Sequence, residues 1–134
     1  EPLPAAYAQY SKDHTKAWSQ KIAEFDGYIF IVAEYNHGVA PALLNAISYL
    51  GREWANKAAG MVGYGSAMGV RAVEQLRLTL AELQIATVQK QGMFSLFNDF
   101  ENFSVFKPTE LQAGSLTPML DQLVPWTNAL KTLR

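Results

Sequence analysis

The feature that most constrains this chain is an alternation of short apolar runs with amphipathic stretches. Tyr28-Ile29-Phe30-Ile31-Val32-Ala33 is an unbroken apolar run of strand length, rich in β-branched and aromatic residues, and reads as a strand buried on both faces. After it, Val39, Leu43, Ile47 and Leu50 share one face of a helix that Pro41 opens and Gly51 closes. Ala58 to Tyr64 reads as a second strand, Val73, Leu76, Leu80 and Leu83 line the next helix, and Ile85-Ala86-Thr87-Val88 is a third strand. Strands alternating with such helices predict a parallel sheet with helices on both faces and right-handed crossovers.

The flanks are less regular. Residues 1–10 hold two prolines and read as an irregular arm. Ser11 is placed to cap a helix whose first turn holds Asp13, with Trp18, Ile22 and Phe25 as its apolar stripe before Asp26-Gly27 ends it. Periodicity is lost from Gln89 to Gly114, where Met93, Phe94, Leu96, Phe97, Phe100, Phe103, Val105 and Phe106 make a loop too apolar to be solvated, hence core or subunit interface. A last helix runs from about Ser115 to Lys131, with Leu116, Leu120, Leu123 and Leu130 on one stripe and Pro125 kinking it. Trp18, Trp54 and Trp126 are expected to pack helices together.

At 134 residues the chain is a single domain that removes about two-thirds of its unfolded surface from water, enough for a core without metal or disulfide staples. The absence of cysteine excludes a disulfide framework, a thiolate zinc site and a cysteine nucleophile. His14 and His37 have no partners at metal-ligand spacing, so no metal site is expected. A net charge of −1 without a basic run argues against nucleic acid. No apolar stretch approaches a membrane span and no signal peptide is visible, which makes a cytoplasmic protein the expectation. Charged residues make up 17%, below the roughly 25% usual for globular domains, which suggests an oligomer.

Ligands of open parallel sheets bind at the carboxyl ends of the strands, which directs attention to two loops. Glu34-Tyr35-Asn36-His37-Gly38 gathers an acid, a phenol, an amide and an imidazole right after the first strand. Gly63-Tyr64-Gly65-Ser66-Ala67-Met68-Gly69-Val70-Arg71 lets backbone N–H groups approach a ligand and ends at a helix start. Read alone, the first is equally a capped turn, with Asn36 capping the next helix, and the second a tight turn. A dinucleotide fingerprint is demoted because Gln89, not an acid, follows Val88.

Glu34-Tyr35-Asn36-His37, Ala42 through Leu50, Glu53-Trp54, Lys57, Gly63-Tyr64-Gly65-Ser66 and Gly69-Val70-Arg71-Ala72 together resemble the NADPH-dependent FMN reductase family of flavodoxin-like proteins. Asp99-Phe100-Glu101-Asn102-Phe103 adds to the likeness. The resemblance implies an α/β three-layer sandwich, FMN and NADPH as cofactors, and a homodimer or homotetramer. It implies that Glu34, Tyr35, Asn36, His37 and Gly38 lie along the isoalloxazine, while the Tyr64, Gly65, Ser66 and Gly69 loop reaches its pyrimidine edge. Arg71 then faces a phosphate or a ring carbonyl, or is simply a cation on the helix surface.

Where the family often has Gly, this chain has Met68. The family's first strand, its phosphate-binding loop, the helix after it and its second strand have no counterpart here. The domain therefore reads as N-terminally incomplete, and the strand at Tyr28 becomes a sheet edge. Either the N-terminal strands lie upstream, in keeping with a first residue that is Glu rather than Met, or another chain completes the sheet.

The leading expectation is hydride transfer from NADPH to bound FMN and on to a small acceptor such as a flavin or quinone, with no side chain assigned as acid or base. The alternatives are a non-catalytic flavodoxin-like module acting through self-association or a partner, and a nucleotide-binding module using the Gly63 to Gly69 turn.

Overall fold

A computed structural model describes residues 8–134; the expected arm falls mostly on residues 1–7, outside the described residues. In chain order the elements are α1 (Asp13–Ala23), β1 (Gly27–Tyr35), β2 (Gly38–Val39), α2 (Pro41–Ser48), a 3-10 turn (Arg52–Trp54), β3 (Lys57–Gly65), α3 (Val70–Glu82), β4 (Ile85–Ser95), β5 (Phe100–Glu101), β6 (Val105–Phe106), α4 (Glu110–Gly114), α5 (Leu116–Leu130) and a closing 3-10 turn (Lys131–Leu133). The main sheet has the order β2-β1-β3-β4; β5 and β6 form a separate antiparallel pair. β1, β3 and β4 are parallel, and β2 turns back antiparallel on β1.

Side-chain alternation along the strands divides the core in two. On one face Phe30, Val32, Ala59 and Met61 meet Ile22 of α1, Ile47 of α2 and Val73, Leu76 and Leu80 of α3. On the other face Ala58 and Val88 meet Met119 and Leu123 of α5. Trp54 is buried in the first cluster, its indole N–H donating to the Ile47 carbonyl at 3.1 Å and its ring against Tyr28 and Phe30. Trp18 packs edge-on to it. Trp126 is exposed, so only two of the three tryptophans join helices.

Other expectations also change. α1 begins with Lys12 at its N-cap position and has no side-chain cap, so Ser11 does not play that part. Helix α5 turns Met119 and Leu123 inward and leaves Leu120 exposed. β4 continues past Val88 to Ser95. Polar Gln89-Lys90-Gln91 hides this continuation, because the β3 to β4 register shifts between Ala59 and Met61. Arg77 stitches the irregularity from α3, donating to Thr87 Oγ1 at 3.1 Å, the Val88 carbonyl at 2.8 Å and Gln91 Oε1 at 3.0 Å.

The first strand is not buried on both faces. It is an edge: β2 pairs with it only at Glu34 and Tyr35, and Gly27 to Ala33 has no strand partner on that side among the described residues. Ile29 and Ile31, 47% and 67% exposed, line an apolar groove of about 490 Å³ with α5 and Phe94, Phe100 and Phe106 as further walls. The Phe-rich segment is likewise split, with Phe94 buried and Phe97, Phe103 and Phe106 exposed.

Asp99 holds that segment in place. Its buried carboxylate accepts from Ser95 N–H at 2.7 Å, and from the N–H and hydroxyl of Thr109 at 2.9 and 3.2 Å. Burial pushes the carboxyl up, but the Thr109 and Ser95 donors outweigh it and hold it below the usual aspartate range. Asp99→Asn is expected to cost about 1–3 kcal/mol near neutral pH. Because the folded value is depressed, this advantage is present above the unfolded aspartate value and is lost as pH falls through the folded one. Denaturant titrations of both proteins across the acid range should converge.

Two of the three leucines of α3 give a second check. Leu76 is fully buried and Leu78 is 76% exposed. Leu76→Ala should lower unfolding free energy by about 2–5 kcal/mol, while Leu78→Ala should stay within about 0.5 kcal/mol.

Candidate active site

The two loops singled out by sequence meet at the carboxyl end of β1 and β3, because parallel pairing sets Ala33 opposite Tyr64. Glu34 and Tyr35 still belong to β1; Asn36 and His37 form a two-residue hairpin turn that returns through Gly38 into β2. Asn36 and His37 both have positive φ, 49° and 66°, the primed turn that matches strand twist. Asn36 suits that region; His37 is strained there and must be held. The helix after the hairpin has Ala40 at its N-cap and no side-chain cap, so Asn36 does not cap it.

The holding groups come from α3. Arg71 donates to Glu34 Oε1 through Nε and Nη2, both at 2.5 Å, and its Nη1 lies 2.8 Å from His37 Nε2. One turn along, Gln75 Nε2 donates to the His37 carbonyl at 2.7 Å. Arg71 and Gln75 are four residues apart and thus on one helix face. Arg71 is therefore not a free surface cation: it is paired with Glu34, with 41% of its side chain exposed. Gln75 was missed by sequence, although its spacing from Arg71 was the available signal.

Glu34 has only 5% of its side chain exposed, and its Oε2 has no hydrogen-bond partner. An unmet buried acceptor is costly and marks a place where a donor is wanted. Tyr35, the next residue of β1, is 60% exposed.

The second loop folds back on its own strand. Gly69 has φ 70°, and a Cβ there would lie 2.5 Å from the Tyr64 nitrogen, so only glycine fits. The Gly65 carbonyl accepts from Met68 and Leu96 N–H, both at 3.1 Å, which fixes the turn between β3 and α3. The N–H groups of Ser66, Ala67 and Gly69 find no acceptor among the described residues. Met68 has φ 58°, a left-handed position better suited to the Gly often found there in the family it resembles. Gly65 is buried with its backbone close to the Glu34 Cβ, and Ser66 is exposed at the rim.

The structure thus gathers all ten sequence-predicted site residues at one end of the sheet, with two of them, Glu34 and Arg71, committed to each other. No group of three or more His, Cys, Asp or Glu able to hold a metal occurs among the described residues. The arrangement offers backbone donors and an exposed aromatic ring at one end of the sheet.

Comparison with known proteins bears on what kind of site this is. A family profile described as NADPH-dependent FMN reductase matches residues 2–99. An NAD(P)H-dependent FMN reductase of Nectria sp is 44% identical over 75 residues, covering 56% of this chain and 37% of the relative. One from Schizosaccharomyces pombe is 41% identical over 90 residues, covering 67% of this chain and 45% of the relative. The chain spans less than half the length of these two curated relatives.

Among solved structures, the flavoenzyme NAD(P)H:(acceptor) oxidoreductase FerB from Paracoccus denitrificans superposes with a TM-score of 0.72 at 17% identity, covering 96% of this chain and 75% of that one. The apo form of an NADH:FMN oxidoreductase superposes with a TM-score of 0.68 at 18% identity, covering 96% and 66%. The fold is α/β and flavodoxin-like, and the chain belongs to the NADPH-dependent FMN reductase family.

Proposed function

We propose that this chain carries the ring-binding part of an FMN-dependent oxidoreductase that takes hydride from NAD(P)H and passes electrons to a small acceptor such as a flavin or quinone. The observation that carries this reading is that the β3 to α3 turn, whose Ser66, Ala67 and Gly69 N–H groups have no acceptor among the described residues, ends beside the Glu34 to Gly38 hairpin. A flavin's pyrimidine edge carries carbonyl acceptors, so the turn has the complementary chemistry. Tyr64, Gly65, Ser66 and Gly69 would hold that edge, and the Glu34 to Gly38 hairpin would lie along the ring.

FMN, when bound, supplies the redox chemistry. The Ser66, Ala67 and Gly69 amides would favour negative charge at the ring's polar edge without reorganising, since Gly65 and Gly69 fix the turn. Tyr35 offers a flat exposed surface for stacking and for keeping water off one side. No side chain needs to act as acid or base for hydride transfer. NADPH is preferred to NADH only on the resemblance. A homodimer or homotetramer in the cytoplasm is proposed on composition and the resemblance; no helix of the described residues is long and apolar enough to cross a membrane.

A non-catalytic module is the second reading, favoured by the open β1 edge and its apolar groove. The two are separated by titrating the protein with FMN, removing unbound flavin, recording the visible spectrum, and then following NADPH oxidation. Retained colour with flavin-dependent NADPH oxidation supports the first; a colourless, inactive protein supports the second.

Gly69→Ala provides the matching variant. It is expected to destabilise the fold by about 1–3 kcal/mol through strain at positive φ and to weaken FMN binding at least about tenfold. Thermal unfolding and flavin fluorescence titration measure the two effects.

A further inference from the structure

Three side-chain contacts fix the His37 turn, and all come from α3. Arg71 reaches Glu34 and the His37 ring, and Gln75 reaches the His37 carbonyl. An arginine guanidinium is always charged, donates only, and has no acceptor. The 2.8 Å contact between Arg71 Nη1 and His37 Nε2 therefore requires an unprotonated Nε2, with the ring proton on Nδ1. A protonated ring would set two cations against each other. The charged groups around the ring are Glu34 from β1 and Arg71 from α3. Tyr35 precedes it by two residues on β1, and Glu74, next to Gln75 on α3, is drawn away to Arg77 at 3.3 Å.

We infer that Arg71 is a positioning residue, which clasps Glu34 and neutral His37 so that the hairpin turn that would lie along the ligand is held in one conformation. It touches no ligand itself. Glu34 Oε1 is held by Arg71 while Oε2 is buried without a partner, so the clasp fixes the orientation of the carboxylate at the start of the turn. The consequence for flavin binding rests on the function proposed above; the clasp does not.

The test begins on the flavin-free protein. With ¹⁵N-labelled histidine, and His37→Gln to separate His37 from His14, the wild type should show an unprotonated Nε2 and a protonated Nδ1. Amide exchange at Tyr35 to Gly38 should speed up in Arg71→Ala while the β3 amides stay protected. Arg71→Lys keeps the charge but reaches only one of its two partners, so it should fall between wild type and Arg71→Ala, and it is the variant to read if the alanine protein does not fold. An Nε2–H tautomer in the wild type would overturn the clasp, as would turn exchange unchanged in the Arg71 variants.

FMN titration then reads the consequence. Arg71→Ala should weaken FMN about tenfold, as loss of a charge-assisted contact would. Weakened binding with unchanged turn exchange would make Arg71 a direct ligand contact and overturn the positioning role. A wild type that binds no FMN would defeat the proposed function, while the tautomer and exchange results would still decide the clasp.

Discussion

Everything at the candidate site depends on one register, Ala33 of β1 beside Tyr64 of β3. Parallel strands end at the same edge of the sheet, so this pairing delivers the hairpin after β1 and the turn after β3 to one place. A slip of one residue would turn Glu34 to the other face and move Gly65 away from it. The register is secured by burial, since Phe30, Val32, Ala59 and Met61 all pack into the same core. Hydrophobic burial here fixes the position of polar groups several residues away.

The Glu34 to Arg71 pair then converts position into geometry. Glu34 is almost fully buried and Arg71 is 41% exposed. Such a pair adds little net stability beside a well-packed apolar alternative, yet removing one partner strands a buried charge. What the pair gives is orientation: α3, itself anchored by Ala72, Val73, Leu76 and Leu80, holds a turn that its own backbone strain would otherwise leave mobile. Positive φ at Asn36, His37 and Met68 occurs at this end of the sheet, as it does at Asn56, Gln84, Asn102 and Phe103 elsewhere.

Much of this was legible in the sequence. Three apolar runs separated by helical stripes fixed the order of β1, β3 and β4 with α2 and α3 between them, and the turn residues marked the site. Three things were hidden, each for a physical reason. The continuation of β4 was masked by a register shift that lets polar residues sit inside a strand. The hairpin at Asn36 and His37 was obscured because His at positive φ is unusual and its support comes from Arg71 and Gln75, far along the chain. Exposure of Ile29 and Ile31 was unreadable because an apolar run reports what a strand is suited to contact, not what contacts it.

The sheet's two faces differ in completeness, and this bears on how independent the site is. The face covered by α1, α2 and α3 has a continuous core, whereas α5 covers the other face only in part and leaves the groove beside β1 open. Every side-chain contact that fixes the hairpin turn comes from α3, on the closed face. Gly69, which lets the second loop fold back, immediately precedes α3 as well. Whatever lies against Ile29 and Ile31 can therefore change the stability of the domain without resetting the turn, because cores on opposite sides of a sheet share only its backbone. Ligand-ring geometry and edge completion are thus separable properties of this fold, the first held by α3 and the second left to the open flank of β1.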